Sequence, residues 1–93
     1  MTEDNIVFVG NKPFMNYVTS VVMQFTTKSA PEVIVKARGK FISRAVDIAE
    51  VAVKRFLKDQ IKVKNIAIDS EGFQNKEGKD VRVSILEITL QKI

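Results

Sequence analysis

Residues 36–40 read KARGK. They set Lys36, Arg38 and Lys40 around Gly39, where an apolar β-branched run gives way to a helical pattern carrying Arg44. Cations gathered where a strand turns into a helix make a surface suited to anions. GNKP, residues 10–13, is a second such point. Gly10 lets the chain turn sharply, and the helix that Pro13 begins offers the positive end of its dipole. Free backbone N–H groups there, with Lys12 alongside, can hold a phosphate. Taken alone, the tetrapeptide fits an exposed lysine in a solvated turn as well.

Strand side chains alternate, so Lys36 and Arg38 point the same way, while Lys40 and Arg44 stand four apart on one face of the following helix. The competing role for Arg44 is a surface pair with Asp47 or Glu50, worth a few tenths of a kcal/mol. Lys36 is the weaker candidate because its strand neighbours are apolar. A third group lies in SEGFQNKEGKD, residues 70–80: Phe73, Gln74, Asn75, Lys76 and Lys79, followed by Arg82. A two-stranded ribbon bearing such residues can enter a nucleic-acid groove and read shape more than sequence. Glu71, Glu77 and Asp80 dilute that charge, so a flexible solvated turn is the alternative.

Other chemistries find little support. The chain has no Cys and no His, which removes thiolate ligands, disulfides and the commonest general base. No Gly-rich nucleotide-cradling loop or metal-ligand cluster appears, and nothing is placed to activate a Ser or Thr. Asp69 and Glu71 are expected to be exposed strand decoration. No catalysis, cofactor or metal is expected. Fifteen Lys and Arg stand against eleven Asp and Glu, a net charge of +4 that favours phosphate-rich partners without proving them. The acidic start MTEDNIVFV does not resemble a secretory leader, and Pro13–Thr27, the longest uncharged stretch, falls short of a membrane span. A soluble, cytosolic protein is expected.

Ninety-three residues make one small domain, 1–93, which a dimer would help to stabilise. Ile6–Val9 reads as a short strand. From Pro13 onward Phe14, Tyr17, Val18, Val21, Val22 and Phe25 form an amphipathic helical stripe. After Pro31, Glu32–Arg38 reads as a central strand. Ile42, Ala45, Val46, Ala49, Val53 and Phe56 form a second stripe, with core burial the default for Phe56. Ile61–Ile68 and Val81–Leu90 read as long strands joined by the 70–80 hairpin. The order is βαβαββ. Apolar parity switches within both long strands, from Ile61/Val63 to Ile66/Ile68 and from Val81/Val83/Ile85 to Leu86/Ile88/Leu90. Such switches call for a bulge or for burial that changes face, as in a long twisted hairpin. Ile48, Val51 and Ala52 widen the second helix's apolar surface, and homodimerisation is the simplest way to cover it.

GNKPFMNYV (10–18), VIVKARGKFISRAVD (33–47) and RVSILEITLQK (82–92) resemble the Alba family of small archaeal chromatin proteins, in order and over essentially the whole chain. The resemblance implies an α+β fold: a βαβαββ two-layer sandwich, similar to the carboxy-terminal domain of translation initiation factor three, with a long β-hairpin arm. It implies a homodimer that binds double-stranded DNA and RNA without strong sequence preference, coating and compacting chromosomal DNA in the nucleoid. A role on RNA, as a chaperone or a ribonuclease P-like subunit, is the alternative. Asn11, Lys12, Arg38, Lys40 and Arg44 match the family's nucleic-acid-binding positions, and Gln74, Asn75, Lys76, Lys79 and Arg82 match its groove-reaching arm. Arg55, Phe56 and Leu57 match a segment used in dimer-to-dimer contacts. Asn11 departs from the family, which carries a lysine pair here whose first member is the acetylated one. Any acetyl switch, with its acetyltransferase and deacetylase, would therefore act on Lys12 or the amino terminus. If Lys12, Arg38, Lys40 and Arg44 each meet a phosphate, a dimer neutralises about eight, giving a salt slope of roughly −7.

Overall fold

The computed structural model describes residues 5–93. Its elements follow the expected order: β1 (Ile6–Phe8), α1 (Phe14–Thr26), β2 (Glu32–Arg38), α2 (Ile42–Val51), β3 (Ile61–Gln74) and β4 (Asp80–Lys92). The strands form one sheet ordered β1-β2-β4-β3, with β1 parallel to β2 and the remaining pairs antiparallel. Among the described residues no helix is long and apolar enough to cross a membrane.

Both helices lie on one face of the sheet. Val18, Val21 and Phe25 of α1 meet Val33 and Val35 of β2, Leu86, Ile88 and Leu90 of β4, and Ile48 of α2 in a single apolar core. Burying each such side chain contributes about 1.5–3 kcal/mol. The opposite face is uncovered. It carries the alternate residues, among them Phe8, Lys36, Arg38, Ile85 and Glu87, which are neighbours in the strand register.

Three features differ from the expectations. The second helix buries Ala45 and Ala49 of the expected stripe together with Ile48 and Ala52, whereas Val46 and Phe56 are 42% and 49% exposed. For Phe56 the cause is a π-helical turn over Ala52–Phe56, where Leu57 N–H donates to the Ala52 carbonyl oxygen at 2.9 Å. The extra residue rotates Phe56 out and brings Leu57 in, to 4% exposure. Core burial, the default for Phe56, therefore does not hold.

The hairpin is also more regular than its composition implies. Ser70–Gln74 and Asp80–Ser84 are paired strand, which leaves only residues 75–79 as the turn. Asn75 builds that turn: its side-chain oxygen accepts from the N–H groups of Glu77 (2.9 Å) and Lys79 (3.0 Å), and Gly78 takes a φ of +79°.

The two parity switches have different origins. In β3 the ladder slips between Val63 and Asn65, so Lys64 is the extra residue of a bulge. Val63 pairs with Leu90, Ile66 with Ile88 and Ile68 with Leu86, which puts all three on the helix-bearing face. β4 pairs with β3 without interruption from Thr89 to Asp80. Its switch is a change of buried face: Leu86, Ile88 and Leu90 face the helices, and Val81, Val83 and Ile85 the open side.

Candidate nucleic-acid interface

Topology brings the three cationic groups to one end of the sheet. Because β1 and β2 are parallel, the 10–13 loop and the Gly39–Phe41 turn both leave from that end. Arg38 pairs with Ile85, so residues 80–84 of β4 run past the end of β2 and carry the hairpin arm outward in the same direction. The molecule is accordingly elongated, 47 Å by 23 Å by 21 Å.

A clamp fixes the first loop. Tyr17 lies one turn into α1, and its hydroxyl oxygen accepts from the N–H groups of Gly10 (3.0 Å) and Lys12 (3.1 Å). Arg44 reaches from α2 to the same loop, donating to the carbonyls of Gly10 (3.3 Å) and Lys12 (2.7 Å). Its guanidinium carbon stands 5.9 Å from the Tyr17 ring centroid. A Cβ on Gly10 would come within 3.3 Å of the Tyr17 hydroxyl, so glycine permits the close approach. The amides of Gly10 and Lys12 are thus engaged within the protein and are not free for a phosphate. Asn11 and Lys12 remain exposed at the loop's tip.

The cations divide by partner. Arg38 pairs with Glu71 at the root of the arm (2.7 Å) and Lys36 with Glu87 (3.2 Å). Arg44 pairs with neither Asp47 nor Glu50; Glu50 is taken by Lys54 at 3.0 Å. Lys40 stands in the 3₁₀ turn before α2 rather than on the helix, its Nζ 5.4 Å from the Phe41 centroid. Among the described residues Lys12 and Lys40 enter no ion pair, and both are exposed.

On the arm, Gln74, Lys76, Lys79 and Arg82 are exposed. Arg82 lies across Gly72 and donates to the Ser70 hydroxyl at 3.1 Å. Asn75 has committed its oxygen to the turn and keeps only its NH₂ for other contacts. Arg55 and Phe56 are exposed beside the π turn, whereas Leu57 is buried and braces that segment from within. Tyr17 is the loop-holding residue that periodicity hid, since it sits on an apolar stripe. The signal was its hydroxyl: a buried Tyr, the only one in the chain, needs a hydrogen-bond partner.

The β1–α1 loop, the β2–α2 turn and the arm, mounted on this sheet, are those of an Alba-type domain. The Alba family model matches residues 5–70, and the chain belongs to the Alba family. The DNA/RNA-binding protein Alba of Methanococcus maripaludis is 53% identical over 89 residues, covering 96% of this chain and 99% of its own. The solved structure of Alba from Thermoplasma volcanium superposes with a TM-score of 0.84 at 49% identity, covering 94% of this chain and 99% of that one. The crystal structure of ALBA1 from Trypanosoma brucei superposes with a TM-score of 0.69 at 27% identity, covering 96% of this chain and 69% of that one.

Proposed function

We propose that this protein binds nucleic acid without sequence specificity and, as a homodimer, coats and compacts double-stranded DNA in the nucleoid. The observation that carries the reading is the convergence of Lys12, Lys40 and the arm at one end of the sheet, with Lys12 on a loop held by Tyr17 and Arg44. Side chains fixed on such a frame engage phosphates with little ordering cost, and phosphate contacts supply affinity without reading sequence. The curated relative's name, DNA/RNA-binding protein, supports the same class of ligand.

The ion pairs and loop contacts support a different choice of phosphate-binding residues from the one expected. Arg38 is held by Glu71 and Arg44 by the loop carbonyls, so Lys12 and Lys40 are the primary contacts, joined by Lys76 and Lys79. Lys12 and Lys40 alone give about four phosphates per dimer and a slope of roughly −4; with both arm lysines the slope is roughly −7. Acetylation of Lys12 would remove two of these charges per dimer.

An apolar band supports the dimer. Ile42 and Ile68 line one surface groove, Val46 follows one turn along α2, and Ile66 two residues along β3. Ile66 and Ile68 are 59% and 81% exposed, on an edge strand of one subunit. A contiguous apolar edge of this kind calls for a cover, and a second copy related by a two-fold axis supplies an identical one. Arg55 and Phe56, exposed beside the π turn, are available for contacts between dimers. The test is competition between matched duplex DNA and structured RNA for the purified protein across a salt series. Duplex DNA is expected to bind with the steep slope given above; RNA displacing it at every salt concentration favours the RNA-directed alternative, and binding to neither overturns the reading.

A further inference from the structure

We propose that the open face of the sheet holds a stacking site for an unpaired base of single-stranded nucleic acid, built on Phe8 with Lys36 and Arg38 beside it. The ring itself stands outside the duplex-binding loops, and Arg38 and Phe41 join the two. Phe8 lies on β1 between buried Val7 and Val9, so alternation turns it away from the core, and it is 64% exposed. Its register partner is Lys36, whose Nζ stands 5.8 Å from the ring centroid. A groove of about 380 Å³ opens next to the ring, lined by Lys36, Arg38, Phe41, Glu71 and Ile85 as well as Phe8.

A lone exposed Phe needs no explanation. This one is set apart by the cation over its ring, the groove beside it, and the continuity of that groove through Arg38 with the cationic end of the sheet. Duplex bases keep their faces stacked on one another, so an aromatic face offered on a flat sheet selects bases that are unpaired. Lys36 and Arg38 supply charge complementary to the flanking phosphates. Their pairs with Glu87 and Glu71 are part-exposed, so a phosphate brought in by a stacked base can compete with each carboxylate for its cation. The released carboxylates can then accept N–H groups from a base edge.

The inference rests on the nucleic-acid-binding reading above, and its test separates the two. Phe8→Ala is compared with the natural chain for binding to an unstructured 20-nucleotide RNA (about 20), to DNA of the same sequence, and to the matched duplex, after thermal melts establish that the variant is folded. Single-strand affinity is expected to fall about 5- to 150-fold, the range found for one base–aromatic stack, with duplex affinity unchanged within about twofold. A loss on both single strands assigns the base alone, and a loss on one assigns its sugar chemistry as well. Phe8→Trp gives a second readout, because the chain has no other tryptophan. Its fluorescence should be quenched by the single strands and not by the duplex. Equal losses on duplex and single strand, no loss on single strand, or no quenching overturns the inference. If duplex binding keeps its salt slope in that case, only the stacking site falls; if the natural chain binds no nucleic acid, the reading beneath it falls too.

Discussion

Arg44 Nη2 donates a hydrogen bond to the carbonyl oxygen of Lys12 across 2.7 Å, joining residues 32 positions apart. The contact gives Arg44 a positioning role. With its guanidinium turned to the loop backbone, Arg44 fixes the loop that carries Lys12, and under the proposed function it would add positive potential behind that lysine.

The other half of the clamp has no charge, so it separates positioning from charge. Tyr17→Phe leaves the amides of Gly10 and Lys12 without their acceptor and should destabilise the protein by about 1–3 kcal/mol. In a chain of this size that lowers Tm by roughly 4–8 °C per kcal/mol. Duplex affinity should drop severalfold while its salt slope stays unchanged, because no phosphate contact has been removed. Titrations at several salt concentrations check both outcomes.

Glu71 pairs with Arg38, and under the proposed function it would compete with phosphate for that side chain. Glu71→Gln should strengthen duplex binding and steepen the salt slope by up to about 0.9 per subunit, as a released Arg38 gains a phosphate. The pair is exposed, so the cost to stability should stay within about 1 kcal/mol. A thermal melt and a salt titration on the same variant read both.

The dimer prediction rests on Ile68, which is 81% exposed in one subunit. Ile68→Asp adds no strain to the isolated chain but places a charge at the centre of the proposed apolar seam. Sedimentation should show a monomer that melts cooperatively, with the salt slope halved. A dimer of unchanged affinity would move the interface elsewhere.

Ser29 ends the α1 segment with a φ of 53°, a left-handed conformation that costs a non-glycine residue about 1–2 kcal/mol. Ser29→Gly should raise stability by up to about 1 kcal/mol, part of the relief being lost to the greater freedom of the unfolded chain. Denaturant midpoints at constant m-value measure it.

The order of elements was legible because hydrophobic period and turn residues agree at each boundary: Gly10 and Pro13 before α1, Pro31 before β2, Gly39 before α2. The bulge in β3 was legible as parity, since Val63 and Ile66 can share a face only with an extra residue between them. The exposure of Phe56 was not. A π turn changes the angular step by one residue, and the AVKRF segment carries nothing in its apolar spacing that announces it, so core burial was the default for Phe56 while Leu57 stood off the stripe. The length of the arm was hidden by composition, because the polar, glycine-bearing residues 70–74 pair as strand only through their partners in β4. In the candidate site, Lys12, Lys40 and the arm lysines stood out by type and place. The partners of Arg38 and Arg44 did not, since Glu71 and the Lys12 carbonyl lie more than 30 positions away and meet them only through the sheet.

The most direct test is the slope of log affinity for duplex DNA against log salt, measured for the natural chain and for Lys12→Ala. The natural dimer should give roughly −7, and Lys12→Ala should flatten it by about two units while weakening all duplex sequences alike. A natural slope clearly shallower than about −4, or one that Lys12→Ala leaves untouched, would contradict the account.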